Sequence, residues 1–139
     1  MDISNNIILE NARGEKREFD GLLINTKTAI VVEANHVAEF KHIKLVLDKA
    51  SFLLEHAGES NADSLKGITG VVPVLASSRF SPIMIDLCKL SGVSIVKPNG
   101  SGHTFVPYPP PSRLIGRRLH TVYDKLARAL PLLRVLLSR

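Results

Sequence analysis

The stretch Glu18-Phe19-Asp20-Gly21-Leu22-Leu23-Ile24-Asn25-Thr26-Lys27-Thr28-Ala29-Ile30-Val31-Val32-Glu33-Ala34-Asn35 decides how the rest of the chain is read. Two apolar runs flank a short polar break at Asn25 to Thr28, the pattern of a β-hairpin. With Thr26 and Lys27 as the loop residues, Asn25 faces Thr28. Continuing outward, Asp20 then stands opposite Glu33 and Glu18 opposite Asn35. Four polar side chains share one face of the hairpin.

Directly opposed residues of an antiparallel pair have Cβ atoms about 4.5–5.5 Å apart, and like charges so placed repel. A hard divalent cation such as Mg²⁺, which takes carboxylate oxygens and keeps several waters, would offset that repulsion and make the pair a binding site. The alternative is a register slipped by one residue, which sends Asp20 and Glu33 to opposite faces.

Asp20, a twelve-residue interval, and Glu33-Ala34-Asn35 at the end of an apolar strand that leads into a helix resemble the PD-(D/E)XK nuclease superfamily, the restriction-endonuclease-like fold. The resemblance spans roughly residues 10 to 106 and implies a Mg²⁺- or Mn²⁺-dependent DNA endonuclease. It implies that Asp20, Glu33 and the main-chain carbonyl of Ala34 hold the metal. A lysine two residues after the Glu assists the attacking water in that family, and here the position carries Asn35. An amide orients water but adds no net charge, and losing one electrostatic contact of this kind costs on the order of 10²–10³ in rate. The domain is then catalytically weak or degenerate, unless a lysine from the following helix substitutes. Lys44 and Lys49 are the candidates, and the spacing does not choose between them. Members of the superfamily also carry an additional acidic residue on a helix before the first strand. Glu10 matches it, with Glu18 as a further acidic candidate; the plain reading of Glu10 is a surface carboxylate.

Outward from the hairpin the period changes. Val37, Phe40, Ile43, Val46 or Leu47, Ala50, Leu53 or Leu54 and Ala57 recur every three or four residues, predicting an amphipathic helix over about 36 to 57 that Gly58 ends. Glu59 to Lys66 is polar and reads as a loop. Gly70 to Ala76 reads as a buried strand, in which Pro73 demands an account because it cannot donate to a ladder. Ser81-Pro82 has the form of an N-cap followed by Pro at the first helical position, opening a helix to Leu90 that stops at Gly92. Val93 to Val96 is the next strand, 97–102 turns the chain, and His103 to Val106 adds an edge strand. Residues 3 to 12 are left open between a strand and the end of a helix. Strands joined through helices are parallel with right-handed crossovers. The expected class is therefore α/β: a mixed central sheet with an N-terminal antiparallel hairpin, flanking helices and a C-terminal basic helix.

The chain has 139 residues, 45% hydrophobic and 22% charged, enough for one core and too apolar for a disordered chain. Its net charge of +5 and pI of about 9.6 are not evenly spread. Residues 113 to 139 carry Arg113, Arg117, Arg118, Lys125, Arg128, Arg134 and Arg139 against Asp124 alone, a net +6, so the rest sums to −1. Pro107 to Pro111 holds four prolines. The organisation read from this is a domain at 1–106, a Pro-rich linker at 107–111 and a basic amphipathic helix at 112–139. Such a helix suits a DNA backbone, a protein partner or an anionic membrane surface, or is a solvated face.

The single Cys88 excludes an intramolecular disulfide and points to a reducing compartment. With no signal-peptide pattern at the N-terminus and no uncharged apolar run near the ~20 residues that span a bilayer, the expected location is intracellular, the nucleus included. His36, His42, His56, His103 and His120 lack zinc-site spacing. Ser77 and Ser78 lack a nucleophile elbow, and no phosphate-cradling glycine motif is present. Two functional classes follow: a metal-dependent nuclease, or a non-catalytic module that binds nucleic acid, a protein partner or an anionic membrane through its basic tail. Nuclease domains of the resembled type, the Crinkler-like proteins among them, commonly sit inside larger polypeptides.

Overall fold

The two-residue turn sets the register of everything around it. In the computed structural model, which describes residues 2–59 and 63–108, with side chains at 6–59 and 65–108, Asn25 pairs with Thr28 and the ladder runs out to Gly21 opposite Val32. Thr26 adopts φ 60°, a conformation that a β-branched residue enters only with strain.

Six strands form one sheet in sequence order: β1 (Asp2–Glu10), β2 (Lys16–Asn25), β3 (Thr28–Val37), β4 (Gly70–Arg79), β5 (Ser94–Asn99) and β6 (Gly102–Val106). The β1–β2, β2–β3 and β5–β6 pairs are antiparallel, whereas β3–β4 and β4–β5 are parallel. The parallel pairs are joined through helices α1 (Phe40–His56) and α3 (Pro82–Ser91), which touch one another and so lie on the same face of the sheet. The expected mixed α/β sheet with an N-terminal hairpin is what forms, and of residues 3 to 12 those up to Glu10 are strand, with Asn11 and Ala12 in the turn to β2.

Several boundaries differ from the periodicity. The helix begins at Phe40, not near 36, because Asn35 and Val37 are still paired with Ser77 and Arg79 of β4. Glu39 is the N-cap, and its backbone N–H donates to Nδ1 of His42 at 2.9 Å. A 3₁₀ turn at Ala57–Glu59 ends α1, and the expected loop contains a one-turn helix, α2 (Asp63–Lys66). Strand β4 runs on to Arg79 rather than stopping at Ala76. Pro73 sits mid-sheet opposite Val31, but pairing with β5 begins only at Val74, so its missing N–H forfeits no bond to that strand. The Ser81-Pro82 start is as expected: Oγ of Ser81 accepts from the Met84 N–H at 3.3 Å, and Gly92 closes α3 at φ 73°.

The core between sheet and helices gathers Phe19, Leu22 and Val31 with Ile43, Val46 and Leu53 of α1 and Leu75 and Ile95 of β4 and β5. Cys88 lies buried in it, and burial pushes its thiol up to about 11, which makes it a packing residue. Among the described residues no helix is long and apolar enough to cross a membrane. The expected linker at 107–111 lies partly, and the expected basic helix at 112–139 with Arg113, Arg117, Arg118, Lys125 and Arg128 wholly, outside the described residues.

Candidate active site

A fault in β2 places the first carboxylate. Arg17 turns toward α1, donating to Asp48 at 2.6 Å and lying 4.6 Å from the centre of the Phe52 ring, and Phe19 is wholly buried in the same core. Leu22 and Ile24, an odd number of residues further on, join that core too. The two-residue alternation of a strand therefore breaks across Asp20-Gly21. Residue 20 is passed over in both ladders: its neighbours pair as Ile7–Phe19 and Asn5–Gly21 on one side, and the β2–β3 ladder stops at Gly21–Val32 on the other. Asn6, level with it on β1, takes φ 51°. Irregularities of this kind re-aim a side chain. Here the result is that Oδ2 of Asp20 accepts the backbone N–H of Ala34 at 3.0 Å across the gap between β2 and β3.

Glu33 stands beside it on the face that α1 covers. Nζ of Lys49 donates to its Oε2 at 2.8 Å, and the two side chains are only 8% and 7% exposed. Burial pushes the Glu33 carboxyl above its ordinary range. Lys49 pulls the other way, and the neighbouring Asp20 carboxyl adds to the rise. Asp20 thus acts on Glu33 from the neighbouring strand, just beyond the point where the regular β2–β3 ladder ends at Gly21–Val32. Among the described residues no group of three or more His, Cys, Asp or Glu side chains is placed to hold a metal. A cation here would rest on two carboxylates with the Ala34 carbonyl and solvent, a donor set that suits an oxygen-seeking ion keeping part of its water shell.

The remaining candidates separate clearly. Lys49 reaches the site, whereas Lys44 is exposed with its ammonium 5.0 Å from the Phe40 ring. Asn35 does not face Glu18. The β2–β3 ladder has ended by then, and Glu18 is an exposed residue paired with Ile8 of β1. Glu10 lies on a strand, not on a preceding helix; it is exposed at the far end of β1 opposite Lys16. His42 is buried as a helix-capping acceptor, and His56 is bonded to Glu59 at 2.8 Å.

Ser77 was not among the nuclease candidates read from the sequence. It pairs with Asn35 in the parallel β3–β4 register, on the Glu33 side of the sheet. Among the described residues, Nδ2 of Asn35 and Oγ of Ser77 are buried without hydrogen-bond partners. No family model matches this chain, and no curated protein or solved structure matches it either.

Proposed function

We propose that the protein is a metal-dependent DNA phosphodiesterase of the restriction-endonuclease-like type, with Lys49 of α1 in the role that the motif gives to a lysine at position 35. The observation that carries this reading is the buried 2.8 Å contact between Lys49 and Glu33, next to Asp20. Asp20, Glu33 and the Ala34 carbonyl would hold Mg²⁺ or Mn²⁺. The bound ion supplies Lewis acidity, acidifying water and neutralising charge on a phosphoryl oxygen.

The chain's own groups prepare the rest. The Ala34 N–H fixes the orientation of the Asp20 carboxylate. Lys49 fixes Glu33 and keeps one positive charge in a site shielded from solvent, where charge stabilisation is stronger than in water. Its ammonium is the group available to orient the attacking water and to stabilise the charge that develops on phosphorus-bound oxygens. The net +6 of residues 113–139 supports a polyanionic substrate.

Calorimetric titration of Mn²⁺ into the wild type, Asp20→Ala and Glu33→Gln tests the reading, alongside nicking of supercoiled plasmid. The expected result is one carboxylate-dependent site and cleavage that both substitutions abolish. A wild type that binds no Mn²⁺ would end it.

A further inference from the structure

We propose that Asn35 and Ser77 are a substrate-binding pair that holds a non-bridging oxygen of the scissile phosphodiester, with Arg79 taking the phosphate beside it. This rests on the nuclease reading, gives Asn35 at the motif's lysine position a role of its own, and extends the site to Ser77 and Arg79, which the motif does not contain.

Position is the first argument. Glu33, Asn35 and Val37 of β3 pair in order with Leu75, Ser77 and Arg79 of β4. Alternate residues of a strand share a face and lie about 6.6 Å apart, and neighbouring strands about 4.8 Å apart. Asn35 and Ser77 are therefore side by side, one step from the Glu33–Lys49 pair, and Arg79 is one step further along the same line. The end of β4 is pinned there, because the Arg79 carbonyl accepts the Ala38 N–H at 3.0 Å.

Chemistry is the second. A buried polar atom is normally hydrogen-bonded, and an exception in a native fold calls for a reason. Here two exceptions are register partners, with Ser77 only 4% exposed. Nδ2 of an amide can only donate, and the serine hydroxyl can donate as well. Two neutral donors flanked by Lys49 and Arg79 call for an anionic acceptor. A phosphodiester oxygen meets that need, and the neighbouring phosphate of the same strand meets the guanidinium, whose planar fork matches phosphate geometry.

Full-length wild type, Ser77→Ala, Asn35→Ala and Arg79→Ala test this through four readouts on the same samples. These are Mn²⁺ affinity, binding of a short fluorescein-labelled DNA duplex in Ca²⁺, kcat and KM for its cleavage in Mn²⁺, and Tm. Ser77→Ala and Asn35→Ala should each lower duplex affinity or kcat/KM by about ten- to hundredfold, the range for hydrogen bonds to a charged group. Mn²⁺ affinity should be unchanged, and Tm unchanged or raised, since deleting an unpaired buried group costs the fold little. Arg79→Ala should raise KM and leave kcat near wild type. A wild type that binds Mn²⁺ and duplex, with Ser77→Ala and Asn35→Ala indistinguishable from it in both DNA readouts, overturns the pair alone. So does a lowered Tm with DNA binding intact, the mark of a purely structural role. A wild type that binds no Mn²⁺ overturns the nuclease reading, and the pair falls with it.

Discussion

Lys49 of α1 and Glu33 of β3 meet through a 2.8 Å hydrogen bond that is almost closed to water. Desolvating two such groups is expensive, and a buried ion pair seldom stabilises a fold more than apolar residues of the same size would. Breaking one side of it is another matter, since the remaining charge is stranded.

Lys49→Met should therefore destabilise the protein by about 3–5 kcal/mol, whereas Lys49→Met combined with Glu33→Leu should recover most of that loss. Urea unfolding of the three proteins measures it. A double variant no more stable than the single one would mean that the pair itself holds α1 to the sheet. Cleavage should fall by about 10²-fold or more in Lys49→Met, the scale of one lost electrostatic contact.

Moving the ammonium should partly rescue its loss. Position 35 shares the Glu33 face of β3, two residues on. Asn35→Lys placed in a Lys49→Gln background should nick plasmid at least about tenfold faster than Lys49→Gln alone, a fraction of the contact's full worth. No gain in the double variant, with Mn²⁺ binding retained, would show that position 35 does not reach the reacting atoms.

Metal affinity should depend on pH through Glu33. Burial, opposed by Lys49 and reinforced by Asp20, holds its carboxyl above the usual 4.5. In the proposed site its ionised form is the ligand, so Mn²⁺ binding should tighten as pH rises through that raised value and level off above it, with a proton released on binding. Titrations in buffers of different ionisation enthalpy report the proton directly. An affinity that is already level below the ordinary carboxylate range would refute it.

Stability should carry the signature of a buried histidine. Burial lowers the His42 pKa below 6.5, against the pull of Glu39, and its Nδ1 must stay unprotonated to accept the Glu39 N–H. Between the lowered folded value and 6.5 the unfolded chain binds more protons than the native one. This contribution is complete above 6.5 and is lost as pH falls through that window. His42→Gln should flatten the dependence between pH 8 and 5 seen in urea unfolding, and an unchanged slope would mean another group sets it.

How far the sequence could be read depended on what each feature needs. The hairpin register was legible because a two-residue loop leaves no freedom once Asn25 and Thr28 face each other. The start of α1 was not, because Val37 satisfies both a strand and the apolar spacing of the helix that follows. Lys49 could have been told from Lys44 by angle alone. At about 100° per residue it lies about 80° from the middle of the Ile43–Val46–Ala50–Leu53 stripe, and Lys44 about 140° away. The break at Asp20-Gly21 leaves no pattern in the residues, since it arises where two ladders meet. Ser77 was hidden for a related reason: a small polar residue near the end of a strand looks the same whether it faces solvent or a site.

The sheet is laid down in the order in which the chain is made, each strand beside the one before it. The candidate site, with its flanking contacts, draws only on residues between Arg17 and Arg79, so all its parts have left the ribosome before β5 and β6 follow. Domains generally fold as units, and within this one no group of the site comes from beyond β4. The site is in this sense contiguous in the chain: β1 to β4 with α1 carry its residues, and the two later strands widen the sheet at the edge away from the hairpin.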